Sequence, residues 1–582
     1  MKPSAPFGKV ASLRSWAKRV RNYSSVAALL IAFHVMPAHS QAAPSASSCE
    51  ALAQLSLPNT TITMAQVVQP GEFKMPAQQG MGGPPPGAQA GPAGQQGGPG
   101  GPGAQAGPGG PGGAGAPGGQ ARPAGQGAPA GAGGPGGGGP APLDTSKMPA
   151  FCRVALTSKP SSDSNIKIEV WLPLSGWNGK FYAVGNSGWA GSIPYRGMVE
   201  GIMANYATAG TDTGHDVGNG TFIPGHPEKF IDYGYRGDHE MTLRAKEIIK
   251  AYAKTDPKYS YWIGCSLGGM EALVEADRYP NDYDAIIAGA PMNPMTMFNA
   301  EQIWNGWLAL KFPDAIIPAA KFAVMHEAVM KACATPIGQK QGFVEDPGSC
   351  KWDPASLLCK NGDAPDCLTA AQVDTAHKIY EGPVNPRTGE HIFIGIPKGL
   401  EGELAQRGMG GESKIATDLY RYAVYQDPNW DWTTMDYDTA ITKAREVVDP
   451  VMRAGSNLNA FLNRGGKLLL HGGWAEMRNG TELAEYYQNV LKNDPSKQDQ
   501  VRLFLIPGMG HCGGGNGPNT FDKLATLDTW VQTNKAPNEI VMSKVQGGQV
   551  VRTRPACAYP AVATYKGSGS EDEASSYVCK KP

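Results

Sequence analysis

Two short stretches hold the residues best suited to nucleophilic chemistry. "YWIGCSLGGMEAL", Tyr261 to Leu273, contains Gly264-Cys265-Ser266-Leu267-Gly268, a Gly-Xaa-Ser-Xaa-Gly pattern. "LIPGMGHCGGG", near the C-terminus, places Cys512 directly after His511. A serine hydroxyl attacks poorly until a base takes its proton, and an acid must orient that base. His511 is the strongest base among the 10 histidines because it sits in a glycine-rich loop just after an apolar run. The two cysteines sharpen the pairing. A disulfide holds its Cα atoms roughly 5.5 Å apart, so a Cys265–Cys512 bond would make Ser266 and His511 neighbours.

The serine pattern alone is a weak signal. Its setting strengthens it, because "YSYWIGCS" reads as a strand and "GGMEALVEADRYP" as a helix, so the glycines permit the sharp turn that exposes a nucleophile. The acid should lie between serine and histidine in the chain, at a strand end. Glu476, in the "HGGWAEMRNG" that follows the strand "GKLLL", is the candidate, while Glu482 and Glu485 are expected to face solvent from the next helix. Two backbone amides must converge on the developing oxyanion. Leu267, just after the serine, and Gly188, in the turn "GNSGWAG", are the expected donors.

These positions require a scaffold of strands ending in glycine loops. "IKIEVWLPL" alternates with a period of two, "GKFYAV", "YDAIIAGAP", "GKLLLHGGW" and "VRLFLIPGMG" read as further strands, and "HEMTLRAKEIIKAYA" has helical spacing. Alternating strands and helices predict an α/β fold around a mostly parallel sheet. From residue 295 to 449 the pattern changes to helices and long loops, with four cysteines and "DPNWDWTTMDY". This stretch is expected to be a lid domain, inserted between the two parts of a catalytic domain, 43–294 and 450–582.

Composition limits the remaining possibilities. The chain has 582 residues, with Lys+Arg 51 balanced by Asp+Glu 51, so no charge excess points to nucleic acid or an anionic membrane surface. A small molecule is the expected partner. A large share of the 77 glycines and 49 prolines falls in a tract over residues 79–142 that has little with which to build a core, so disorder is expected there. Residues 1–42 combine Lys2, Lys9, Arg14, Lys18, Arg19 and Arg21 with "VAALLIAFHV" and small residues suited to cleavage after Ser40 or Ala42. About ten apolar residues fall short of the roughly 20 that span a bilayer, so a secretory signal is expected and a stable membrane anchor is not. Ten cysteines in an exported or periplasmic chain favour disulfides, and the absence of Cys-Xaa-Xaa-Cys units argues against structural zinc.

Several of these stretches together, "GYRGDHEMTLRAKEIIKAY", "YWIGCSLGGMEALVEADRYPNDYDAIIAGAP", "DPNWDWTTMDYD" and "IPGMGHCGGG", resemble the tannase and feruloyl esterase family, including its terephthalate-monoester branch. The resemblance implies an α/β-hydrolase core with a large lid, and a secreted serine esterase that hydrolyses aromatic esters of feruloyl, galloyl or terephthalate-monoester type through an acyl-enzyme. It also implies four more disulfides: Cys49–Cys152, Cys333–Cys350, Cys359–Cys367 and Cys557–Cys579. Two departures stand out. The acid, usually aspartate, is Glu476 here. Where the family carries a calcium loop, "CATPIGQKQGFVEDPGSC" has Ala334, Ile337 and Gln341 at expected acidic positions and adds Lys340, leaving Glu345 and Asp346, so no metal or other cofactor is expected. Arg407 is a candidate partner for a substrate carboxylate. The competing class is a non-catalytic surface or adhesion protein on a hydrolase scaffold, which would give no burst of p-nitrophenol from an activated ester.

Overall fold

The strand at Tyr259–Cys265 lies near the middle of a nine-stranded sheet, with the turn to its helix at one edge of the layer. The computed structural model describes residues 46–76, 144–477 and 480–582. The expected leader, the glycine- and proline-rich tract and the side chain of Arg407 lie outside the described residues. The strands are β1 Thr60–Val68, β2 Phe151–Ser158, β3 Ile166–Pro173, β4 Lys180–Val184, β5 Ala207–Thr211, β6 Tyr259–Cys265, β7 Ala285–Gly289, β8 Lys467–Gly473 and β9 Val501–Ile506. Their spatial order is β1-β2-β3-β5-β4-β6-β7-β8-β9. From β5 to β9 every neighbouring pair is parallel, whereas β1, β2 and β3 add an antiparallel edge.

Alternate residues of the central strands enter two separate cores. Trp262, Ile286, Ala288, Leu468 and Leu470 pack with the helices Gly237–Ala253 and Leu267–Arg278. Tyr261, Ile263, Ile287 and Leu469 pack on the other face with Met198, Val199 and Ile202 of the helix Tyr195–Met203 and with Leu527 and Trp530 of Lys523–Thr533. Burial on both faces explains why these strands read as continuous apolar runs. It also corrects the expected alternation of "IKIEVWLPL": within β3 only Lys167 is exposed, because this strand, paired between β2 and β5, is covered on both faces.

Between β7 and β8 the chain supplies helices, among them Met295–Lys311, Ala319–Cys333, Ala370–Glu381 and Tyr437–Val447, and adds no strand to the main sheet. After β9, two hairpins follow: β10 Glu539–Gln546 with β11 Gln549–Cys557, and β12 Val562–Tyr565 with β13 Tyr577–Lys580. Disulfides join Cys49 to Cys152, Cys265 to Cys512, Cys333 to Cys350, Cys359 to Cys367 and Cys557 to Cys579. Among the described residues no helix is long and apolar enough to cross a membrane.

Candidate active site

Ser266 sits between β6 and the helix Leu267–Arg278 with φ 64° and ψ −119°, a backbone conformation unfavourable for a residue with a side chain. The surrounding glycines make the turn possible. A Cβ on Gly264 would lie 2.1 Å from the Gly268 carbonyl oxygen, and one on Gly268 would lie 2.7 Å from that of Asn186. The serine amide donates to Gly289 O at 2.9 Å, fixing the elbow to β7. The Ser266 Oγ lies 3.6 Å from Met292 Sδ.

His511 and Glu476 meet above the ends of β8 and β9. Their loops are tied together, since Trp474 N donates to Ile506 O at 3.0 Å and Ala475 N donates to Met509 O at 2.9 Å. Gly473 allows that approach, because a Cβ there would lie 2.0 Å from Met509 O. Glu476 Oε2 is 2.6 Å from His511 Nδ1, and its Oε1 accepts from Gly473 N at 3.1 Å. The glutamate side chain is 2% exposed and the histidine side chain 43%, so the acid is enclosed while the ring faces open space. The Cys265–Cys512 bond, with Cα atoms 5.9 Å apart, connects the residue before the serine to the residue after the histidine. Of the other two acids considered, Glu485 is exposed. Glu482 is only half-exposed and lines a separate cleft, which corrects its expected solvent-facing position.

A cavity of about 650 Å³ is lined by Ser266, His511, Glu476 and Gly188. Gly188 has φ 59°, and its carbonyl accepts from Tyr233 Oη at 3.2 Å. Burial raises the Tyr233 pKa well above its ordinary value and so keeps it a donor. Leu267 is the first residue of its helix, where the amide has no partner within the helix. The rest of the lining was not legible in the sequence. Trp189, Tyr233, Met292, Met295 and Phe298 form an apolar wall, and Asn299, Gln302 and Glu403 add polar groups. The one signal available was "PMNPMTMFNA" just after β7, a methionine-rich run of the kind that lines adaptable surfaces. Arg407 ends the helix Glu401–Arg407.

His471 lies near the elbow yet is not on the cavity wall. It is 2% exposed, burial lowers its pKa to about 3, and a Cβ on Gly289 would lie 2.6 Å from its Nε2. The segment from Cys333 to Cys350 does not fit a calcium ion. Glu345 accepts from Thr335 N at 3.1 Å and from the Thr335 hydroxyl. Gln341 donates to Asp572 Oδ1 at 3.2 Å and accepts from Arg554 Nη2 at 2.7 Å, while Lys340 pairs with Glu571 at 2.8 Å. Glu345, Gln341 and Lys340 are thus directed at protein partners rather than at a common point.

Comparison with known proteins identifies the family. A family model described as "Tannase and feruloyl esterase" matches residues 152–580. An uncharacterized esterase of Xanthomonas campestris is 34% identical over 488 residues, 74% of this chain and 84% of the relative. A probable feruloyl esterase B-2 of Aspergillus terreus is 31% identical over 459 residues, covering 74% of this chain and 86% of the relative. Among solved structures, feruloyl esterase B from Aspergillus oryzae aligns with a TM-score of 0.73 at 25% identity, covering 92% of this chain and 100% of that one. Tannin acyl hydrolase from Aspergillus niger shares the fold at a TM-score of 0.63 and 19% identity, over 74% of this chain and 87% of that one. The chain belongs to the tannase and feruloyl esterase family and is a carboxylic ester hydrolase with an α/β-hydrolase fold.

Proposed function

We propose that this protein is an exported serine esterase that cleaves esters of phenolic aromatic acids through an acyl-enzyme. The observation that carries the reading is that Ser266, His511 and Glu476 line one cavity, with the acid 2.6 Å from the base. Ser266 Oγ attacks the ester carbonyl as His511 takes its proton, and Glu476 holds the imidazole in the tautomer that can accept it. The amides of Gly188 and Leu267 receive the oxyanion. Collapse expels the alcohol, which leaves with the proton from His511. Water activated by the same histidine then attacks the acyl-serine and releases the aromatic acid.

The substrate class rests on the lining. Trp189, Tyr233 and Phe298 suit an aromatic ring, and Asn299, Gln302 and Glu403 offer oxygens to phenolic hydroxyls. These polar groups favour feruloyl and galloyl esters, whose rings carry phenolic hydroxyls, over terephthalate monoesters, whose rings carry none. The helical segment between β7 and β8 serves as the lid, and the five disulfides fit an oxidising compartment outside the cytoplasm. No step uses a metal, in keeping with the poor fit of the segment from Cys333 to Cys350 to calcium. The test is hydrolysis of methyl ferulate, methyl gallate and a terephthalate monoester by wild type and Ser266→Ala. Turnover of the first two that vanishes in Ser266→Ala is expected. Retained turnover in that variant overturns the nucleophile, and preference for the terephthalate ester overturns the substrate class.

A further inference from the structure

Glu271 is a carboxylate the reaction does not call on, and it is buried where an apolar side chain would be cheaper. It lies five residues after Ser266 on the helix Leu267–Arg278 and is 1% exposed. Its Oε2 accepts the Asn186 N–H at 2.9 Å. The carbonyl of the same Asn186 accepts from Gly268 N, also at 2.9 Å. Both backbone polar groups of one residue are therefore held by the helix that carries the nucleophile. With its amide nitrogen turned toward the backbone, the Asn186 side chain reaches Ser192 O and Thr211 O, each at 3.2 Å. One and two residues further on, Ser187 and Gly188 form part of the cavity wall beside Ser266.

The fixed point matters because the two oxyanion amides come from different elements. The Leu267 amide moves with the helix, whereas that of Gly188 belongs to the loop after β4, where φ of 59° at Gly188 and 79° at Gly191 leaves few constraints from side chains. Gly185 approaches the helix as closely as backbone allows, a Cβ there lying 2.8 Å from Gly268 Cα. Beyond that contact, the two hydrogen bonds to Asn186 set the loop against the helix.

We propose that Glu271 is a positioning residue: by accepting the Asn186 N–H it sets the distance between the Gly188 amide and Ser266. This rests on the roles assigned above to Ser266 and Gly188. The neighbourhood is costly for a carboxyl group, which supports a use for it. Burial raises the Glu271 pKa to about 7, and burial, with repulsion between neighbouring carboxylates added to it, raises those of Asp238 and Glu275. Methionine would fill the same volume without that desolvation.

Three variants separate positioning from packing. Glu271→Gln keeps an acceptor oxygen at the same reach. Glu271→Met removes the acceptor while filling the space, and Glu271→Asp withdraws it by one methylene while keeping the charge. On methyl ferulate, Met and Asp are expected to lower kcat about 10- to 100-fold with KM within twofold of wild type, since a small displacement of an oxyanion donor has effects of that order. Glu271→Gln should stay within about threefold. Affinity for an aryl boronic acid, which forms a tetrahedral anion on the serine, should fall in parallel with kcat. Either Met or Asp, recovered folded, suffices for the comparison. A folded Met or Asp variant with wild-type kcat, a loss confined to KM, or a Gln variant impaired more than tenfold would each overturn the role of Glu271. Absence of Ser266-dependent turnover in wild type would instead overturn the proposed function.

Discussion

Replacing Glu476 with glutamine changes one oxygen to an amide nitrogen, and the two hydrogen bonds around it make the consequence calculable. In the wild type, Oε1 accepts from Gly473 N at 3.1 Å while Oε2 faces His511 Nδ1 at 2.6 Å. Glutamine has one acceptor for these two donors. If its oxygen stays with Gly473, its NH2 group faces His511, and Nδ1 must become an acceptor, which moves the ring proton to Nε2. That tautomer cannot take the serine proton. If the amide turns over, its NH2 group opposes the Gly473 amide, donor against donor, in an enclosure where the side chain is 2% exposed. The first arrangement costs less, so the wrong tautomer dominates. The expected loss in kcat is about 10⁴-fold, or about 5 kcal/mol of transition-state stabilisation. Stability should change far less, by about 2 kcal/mol, the scale of one hydrogen bond to a charged group. Initial rates on methyl ferulate beside a thermal melt separate the two effects. A Glu476→Gln enzyme within tenfold of wild-type kcat would refute the assignment, and a comparable loss in Glu482→Gln or Glu485→Gln would move the acid to that residue.

Serine at both Cys265 and Cys512 should lower kcat and the melting temperature together. The bond closes a span of 247 residues, for which the chain-entropy model gives about 5 kcal/mol, and peptide mapping without reductant that finds either thiol free would refute the link. A chelator should leave activity and melting temperature unchanged; stoichiometric calcium in the purified protein, or a clear drop in melting temperature, would contradict this. His471 should contribute an acid sensitivity, because burial lowers its pKa to about 3 in the fold while the unfolded chain takes up the proton near pH 6.5. Stability from this group is complete above pH 6.5 and is lost as pH falls toward 3, by about 1.4 kcal/mol per unit at most. Asp212 and Glu271, raised to about 7 by burial, act in the opposite direction between about pH 4 and 7. The comparison is therefore made between wild type and His471→Gln. Identical slopes of melting temperature against pH would show that His471 does not titrate as described.

The residues of the proposed triad were readable from the sequence because their surroundings leave a local imprint. Gly264 and Gly268 flank Ser266 since no Cβ fits there, and the cysteines beside Ser266 and His511 record a spatial neighbour in the chain itself. Glu476 was readable from its place at the end of β8. The cavity was not. Its walls come from Trp189, Tyr233, Phe298, Ile415 and Met452, each from a different stretch, and each alone reads as an ordinary core residue. Glu271 was invisible for the same reason: with Glu275 one turn later, it reads as part of a solvent-facing stripe, and only the approach of Asn186 gives it a partner. The antiparallel edge of β1 to β3 was not legible because side-chain alternation, as in β2, is the same in a parallel and an antiparallel ladder, and β3 is buried on both faces.

The bond between Cys265 and Cys512 also sets an order of events in the making of the molecule. The nucleophile is specified before the midpoint of the chain, but its covalent partner emerges only after the whole stretch between β7 and β8 and the strands that follow it. A ribosome must release nearly all of the protein before the elbow can be tied to the base. Once tied, the ring encloses every residue from 265 to 512, so a protease that cuts the helical segment leaves both fragments joined. A nicked molecule would run as one band without reductant and as two with it, with Ser266 and His511 still held together through the disulfide.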